Sequence, residues 1–257
     1  KVTQAMPTSP RAKAMLAQLA PTGFARIETL ARKLEVTEET IRRTARRLEA
    51  AGLVTKTHGA VHLREAGAEP NFSQRMQQHP EAKRRIARAV AGLIPDGASL
   101  FLDVGSTTAY VAAALQVRRD LMVVTNSLAA ASALTGRAGN RVFMAGGELR
   151  AHDGGAFGAE ALAFVRQFRV GHAILSAAAI DATSGFLLQD LREAEFSRAI
   201  IACAEAATIV ADASKFGLKA PIQIADPAAF TRLVTDAAPP AAIAERLTGA
   251  GVAVQLA

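Results

Sequence analysis

Thr37-Glu38-Glu39-Thr40-Ile41-Arg42-Arg43-Thr44-Ala45-Arg46-Arg47-Leu48 is the stretch on which the reading of the chain turns. Thr37 carries the hydroxyl of a helix N-cap, which accepts a free N–H of the first turn. Glu38 and Glu39 follow where the helix dipole favours negative charge. Ile41, Ala45 and Leu48 recur at helical spacing and make a narrow apolar stripe. Arg42, Arg43, Arg46 and Arg47 fall off that stripe. Like charges at this spacing oppose a short helix unless an anion meets them. A solvated cationic face is the plain alternative.

Working outward, Ile27-Glu28-Thr29-Leu30-Ala31-Arg32-Lys33-Leu34 is a second short helical pattern, and only Glu35 and Val36 separate it from the Thr37 cap. Two short helices joined by a tight turn predict a helix-turn-helix, whose second helix enters the major groove of DNA. Gly52 is a C-terminal stop. Leu53–Thr57 and Ala60–Leu63 read as two strands around His58-Gly59, which completes a winged helix. Thr37, Glu39, Thr40, Arg42, Arg43, Arg46, Arg47, His58 and Gly59 are the DNA-contact candidates. His58 is read equally as a phosphate contact or a plain turn residue.

The charge distribution supports a polyanionic partner. The chain has 257 residues and a net charge of +7. Residues 1–64 hold 12 Lys and Arg against 5 Asp and Glu, and residues 65–257 hold 18 of each, so the whole excess lies in the first part. A localised basic region is the footprint of a phosphate-backbone binder. A membrane surface would call for aromatic anchors, which this segment lacks. No apolar run approaches the ~18–20 residues that span a bilayer, and no charged-then-apolar leader opens the sequence. The single cysteine, Cys203, excludes an intramolecular disulfide and fits a reducing, cytoplasmic setting. It is placed in a helical pattern, Arg198–Glu205, as a small core residue. No cofactor and no metal are expected.

The length suggests two domains. We read residues 1–64 as the winged helix, 65–80 as a linker, and 81–257 as a second domain. Residues 10–20 form a first helix with Ala14, Met15, Leu16 and Leu19 inward. After a helix at Lys83–Leu93, apolar runs predict strands at Ser99–Val104, Leu121–Thr125, Arg141–Ala145, His172–Ala177, Thr208–Ala211, Arg232–Thr235 and Val252–Leu256. Helices are predicted between them, at Thr107–Leu115, Leu128–Leu134, Ala159–Gln167, Glu193–Ala206 and Ala241–Thr248. Such alternation predicts an α/β domain, a mostly parallel sheet covered on both faces.

Ligands of such sheets sit at the carboxyl ends of the strands. There the sequence places Asp103, Gly105, Ser106, Thr107 and Thr108; Asn126 and Ser127; Gly146, Gly147, Glu148, Arg150 and Asp153; Asp181; and Lys215. Gly105 permits a tight turn, and three hydroxyls beside a helix N-terminus suit a phosphate. Each alone is also an ordinary cap or turn. Together they predict a crevice for a small phosphorylated, hydroxyl-rich molecule. Arg75 and Lys83 are read as solvated surface cations, with a role in coupling the domains as the alternative.

Thr40-Ile41-Arg42-Arg43, Leu53 to Gly59, Asp103 to Thr108, Val124-Thr125-Asn126-Ser127, Gly146-Gly147-Glu148 and Asp212 to Gly217 resemble, in that order, the DeoR family of bacterial transcriptional regulators. Ala145 to Arg150 with Asp153-Gly154-Gly155, Gln167-Phe168-Arg169, and Thr235 to Pro240 are similar to its glycerol-3-phosphate regulon repressor branch. The resemblance implies a winged helix-turn-helix joined to a Rossmann-like sensor related to sugar-phosphate isomerases. It also implies repression of carbohydrate-catabolic genes, relieved by a phosphorylated sugar or polyol. Three places depart from the family: Thr44-Ala45 where an acidic residue and leucine are usual, His58-Gly59-Ala60 in the wing, and Ser176-Ala177-Ala178-Ala179 before Ile180-Asp181. Two or more protomers, a homodimer or homotetramer, would span operator half-sites. A sugar-phosphate isomerase or deaminase with an accessory DNA-binding domain is the enzymatic alternative, and an architectural DNA-binding protein without effector is another.

Overall fold

The computed structural model describes residues 9–50, 53–57, 59–63, 72–137 and 139–257. The chain divides into two compact units, Lys1–Pro70 and Asn71–Ala257.

The first unit contains α1 (Pro10–Leu19), β1 (Phe24–Arg26), α2 (Ile27–Lys33), α3 (Glu38–Ala50), β2 (Val54–Thr57) and β3 (Ala60–Leu63). The apolar stripe behaves as the periodicity requires: Ile41, Ala45 and Leu48 are fully buried against Met15, Leu19, Leu30, Val54 and Val61. Each of the larger side chains contributes roughly 1.5–3 kcal/mol by leaving water. On α1, Ala12 takes the inward place expected of Ala14. The turn between α2 and α3 closes as a Schellman motif. Val36 N–H donates to Ala31 O at 3.0 Å, Glu35 N–H to Arg32 O at 3.4 Å, and Glu35 takes a left-handed φ of 51°. Thr37 caps α3 as expected, its Oγ1 accepting Thr40 N–H at 3.3 Å. The hairpin is three-stranded, in the order β1-β3-β2, because Phe24–Arg26 adds an antiparallel strand that sequence reading missed. Glu49 clamps the hairpin to α3, accepting Lys56 N–H at 3.1 Å and meeting Lys56 Nζ at 2.9 Å.

The second unit begins earlier than expected. Within the stretch 65–80, expected as linker, Phe72–Gln77 forms the helix α4, and α5 (Pro80–Leu93) follows. A sheet of seven strands comes next: β4 (Ser99–Leu102), β5 (Met122–Thr125), β6 (Arg141–Met144), β7 (Val170–Ser176), β10 (Ala204–Val210), β12 (Arg232–Thr235) and β13 (Ala253–Leu256). All pairings are parallel, in the order β13-β12-β10-β7-β4-β5-β6. Successive residues of each strand face opposite sides. Leu100, Leu102, Ile174, Val210 and Val234 therefore pack with α5, α6 (Ser106–Ala114) and α7 (Leu128–Leu134). Phe101, Leu175, Ile209 and Leu233 pack on the other face with α8 (Ala159–Val165), α9 (Leu191–Ile201) and α10 (Ala241–Gly249).

Two further differences concern the stretches around Cys203 and after β7. The helix expected to run through Ala206 ends at Ile201, so Cys203 sits in a turn, buried as expected. Ala204, Ala206 and Ala207 favour a helix intrinsically, but parallel pairing with Val170, His172 and Ala173 overrides that preference. A small antiparallel sheet, β11-β9-β8, was not foreseen: β8 (Ala179–Asp181), β9 (Gly185–Leu188) and β11 (Ile222–Gln223).

The order of strands reverses between β4 and β7, since β5 and β6 extend to one side and β7, β10, β12 and β13 to the other. This topological switch point is where a doubly wound sheet opens a crevice.

Candidate functional site

The outward face of α3 holds the four arginines, all exposed. Arg42 meets Glu38 at 2.6 Å and Glu39 at 4.0 Å, and Arg46 meets Glu39 at 3.8 Å. Arg43 and Arg47 have no carboxylate within 4.0 Å among the described residues. The first-turn acids thus brace two arginines and leave two uncompensated. Glu39, a contact candidate, lies in that brace. Thr44 is nearly buried and bonds back to Thr40 O at 2.8 Å. A cleft of about 370 Å³ lies between α2, α3 and the wing turn, lined by Arg26, Glu28, Glu38, Arg42 and Gly59 among others. Gly59 takes φ +78°, as a tight wing turn requires. His58 lies outside the described residues. Phe24 is half exposed and stacks on His62 with centroids 5.6 Å apart; neither was singled out from sequence.

In the second unit, neighbouring strand ends lie about 5 Å apart. The end of β4 presents Asp103, 6% exposed. Asp103 Oδ2 accepts Ser176 N–H at 3.4 Å, while Oδ1 is buried without a partner. Burial pushes this carboxyl well above the usual carboxylate range, and nearby Glu193 adds to the rise. It holds a proton to higher pH than an ordinary aspartate. Gly105 is extended, and its lack of a side chain answers to space: a Cβ there would stand 3.0 Å from both Ser176 Cβ and Thr108 Oγ1. Ser106, Thr107 and Thr108 are buried in the first turn of α6, which no side chain caps. Thr108 donates to Gly105 O at 3.0 Å. The hydroxyls of Ser106 and Thr107 have no hydrogen bond among the described residues.

At the end of β5, Asn126 is fully buried; its Nδ2 donates to Ala156 O at 3.1 Å and its Oδ1 has no partner. Ser127 is an ordinary cap, its Oγ accepting Ala130 N–H at 3.2 Å. Gly146, Gly147 and Glu148 are exposed in the loop after β6. Arg150 is held within a cluster of acids. It donates to Asp153 and Glu193, lies 3.4 Å from Asp190, and stacks over Phe157 at 4.4 Å. Burial opposes its charge, but these partners raise its pKa further. Burial also opposes the charge of Asp153, yet hydrogen bonds from Arg150 and Gly155 N–H hold its carboxyl below the usual range. Asp181 closes its own turn, accepting Thr183 and Ser184 N–H at 2.9 Å each, and those bonds lower its pKa. Lys215 is half-buried in the turn after β10.

Three groups at this edge were not among the effector candidates, although Asp212 and Thr235 were expected at strand ends and Lys83 had a coupling role as its alternative. Asp212 is 2% exposed and accepts Ser214 N–H at 3.1 Å. Thr235 is fully buried with its hydroxyl unpartnered. Lys83, read as a surface cation, is 3% exposed. Its spacing from Ile86, Ala87 and Val90 put it on the buried face of α5, and that signal was available. Among the described residues no cluster of His, Cys, Asp and Glu is arranged to hold a metal ion, and no helix is long and apolar enough to cross a membrane.

A winged-helix nucleic-acid reader is thus followed by a parallel α/β domain with a polar site at its switch point, the architecture of a ligand-sensing regulator. Residues 11–66 match the DeoR-like helix-turn-helix domain, and residues 78–237 match the DeoR C terminal sensor domain. The chain belongs to the DeoR family. It is 35% identical over 248 residues to the HTH-type transcriptional repressor CsqR of Escherichia coli (strain K12), covering 96% of this chain and 95% of that one. It is 36% identical over 234 residues to the Glycerol-3-phosphate regulon repressor of the same organism, covering 91% and 93%. Among solved structures, ribose 5-phosphate isomerase A from Methanocaldococcus jannaschii aligns with a TM-score of 0.40 at 16% identity, covering 54% of this chain and 55% of that one.

Proposed function

We propose that the protein is a DNA-binding repressor of a carbohydrate or polyol catabolic operon, released by a phosphorylated sugar or polyol such as glycerol 3-phosphate. The observation that carries the effector half is the set of buried, unpartnered oxygens at one sheet edge: Asp103 Oδ1, Asn126 Oδ1 and Thr235 Oγ1. An unmet buried polar atom costs about 1–3 kcal/mol, and a hydroxyl-rich ligand would supply the missing partners. The phosphate is assigned to the N-terminal turn of α6 at Gly105–Thr108, where free N–H groups and the helix dipole favour an anion. Lys215 adds positive charge. Arg150 already serves three carboxylates and is left out of this assignment. Glu148 and Asp181 are kept as residues of the rim.

Operator binding is assigned to Arg43 and Arg47, whose charge is uncompensated, with Arg42 and Arg46 held in position by Glu38 and Glu39. Some would read base edges and others phosphates. Thr37, Thr40, His58 and Gly59 complete the candidate face. Two or more copies are needed to meet two half-sites, and the protein works in the cytoplasm, on the nucleoid when bound. The relatives are named repressors rather than enzymes, which supports regulation over catalysis. A thermal-shift screen of phosphorylated polyols and sugars tests the effector half. A true effector at about 100 times its dissociation constant stabilises by roughly 2.7 kcal/mol. A screen in which none stabilises the second unit would overturn it.

A further inference from the structure

Lys83 is a buried cation at the site's edge with no part in the effector assignment. The first turns of α5 lie at the carboxyl edge of the sheet: Arg85 reaches Asp236, just beyond β12, at 3.4 Å, and Asp212 and Lys215, just beyond β10, are near Lys83. Lys83 is buried there, and its ammonium donates to the backbone carbonyl of Arg75 in α4. Burial lowers its pKa to about 8; Asp212 acts against that fall, and Lys215 and Arg75 add to it. A neutral carbonyl is a modest partner for a buried ammonium, and charge-assisted bonds to anions are stronger.

What Lys83 holds is a short element. α4 has six residues and buries none of them, and helices of this length are marginal without tertiary support. Two side chains bind carbonyls near its end: Lys83 that of Arg75, and Tyr110 that of Met76 at 2.9 Å. Tyr110 belongs to α6, whose first turn is the assigned phosphate cradle. In the chain, α4 is the first helix after the boundary at Pro70.

We propose that Lys83 is a ligand-linked positioning residue, which gives up its hold on α4 when an anion at Gly105–Thr108 offers a stronger partner. This rests on the effector reading above. The exchange of partners makes the two arrangements of α4 differ in ligand affinity, the condition under which a ligand shifts an equilibrium.

Hydrogen exchange of the Phe72–Gln77 amides in the full chain tests it, with glycerol 3-phosphate and inorganic phosphate as probes and thermal shift as the separate measure of binding. Wild type is expected to exchange several-fold faster across α4 when a probe binds. Lys83→Met should exchange fast without probe and change no further on adding it. Tyr110→Phe should start faster and still respond. If Lys83→Met does not fold, Lys83→Arg keeps the charge with a different reach and should show a blunted response. An undiminished response in either Lys83 variant overturns the inference alone. So does a wild type that is stabilised by a probe while α4 exchange stays unchanged. A wild type stabilised by no phosphorylated sugar or polyol overturns the effector reading and this inference with it.

Discussion

Arg150 is 12% exposed and serves Asp153, Asp190 and Glu193. Among the described residues, Arg42 and Arg46, 45% and 63% exposed, meet only acids of their own helix, while Arg43 and Arg47 meet no carboxylate. One side chain is thus put to two uses. In the second unit a guanidinium is desolvated and fully repaid by carboxylates, so it organises the protein itself. On α3 the guanidiniums stay in water, where an ion pair is worth about 0–1 kcal/mol, and their charge is left for an outside partner. Burial decides which arginine is structural and which is an interface.

The largest effect should come from breaking the buried cluster. Arg150→Ala removes the cation shared by Asp153 and Glu193, while Asp190 keeps Arg192 at 3.1 Å, and losing one partner of a buried pair costs about 3–5 kcal/mol. Denaturant unfolding of the second unit should shift accordingly; a loss under 1 kcal/mol would erase the distinction drawn here. Next comes Arg43→Ala with Arg47→Ala. Stability should move by no more than about 0.5 kcal/mol, as for surface substitutions. The slope of log affinity for operator DNA against log salt should flatten by about one for each DNA phosphate that the variant no longer neutralises. An unchanged slope would place the DNA face elsewhere.

The smallest effect is a slope with pH. The folded Asp103 carboxyl keeps its proton to higher pH than the unfolded one, whose ordinary value is 3.8. Folding therefore binds a proton between the two values, and stability falls as pH rises through that window. Asp103→Asn removes the dependence. The variant should match wild type at acid pH and gain on it as pH climbs above about 4, levelling off past the raised value. It should also bind a hydroxylated effector more weakly. Melting temperatures that run parallel across pH would contradict the burial argument.

The contrast also marks what could be read from the chain alone. The α3 stripe of Ile41, Ala45 and Leu48 was legible because helical periodicity is local. The strand ends at Asp103, Asn126 and Lys215 were legible because buried parallel strands announce themselves as apolar runs. Arg150 read as a ligand cation because its partners Asp190 and Glu193 lie 40 and 43 residues away, beyond any local pattern. Ser127 and Asp181 look the same in sequence whether they cap, turn or bind. The alanines from Ala204 to Ala207 misled because strand pairing, a tertiary effect, outweighed their helix preference. Lys83 was read as a surface cation, with domain coupling as the alternative, for a different reason: its place on the apolar face of α5 was visible, but its charge argued for the surface.

The central claim is that the basic winged helix is released from DNA by a phosphorylated ligand of the second unit. Fluorescence anisotropy of the full chain on the DNA upstream of its own operon, titrated with glycerol 3-phosphate and other phosphorylated polyols and sugars, tests it most directly. At least one phosphorylated compound should weaken binding about tenfold or more, equivalent to ~1.4 kcal/mol of coupling, while its unphosphorylated counterpart has no effect. Operator binding that no phosphorylated compound alters would contradict the account.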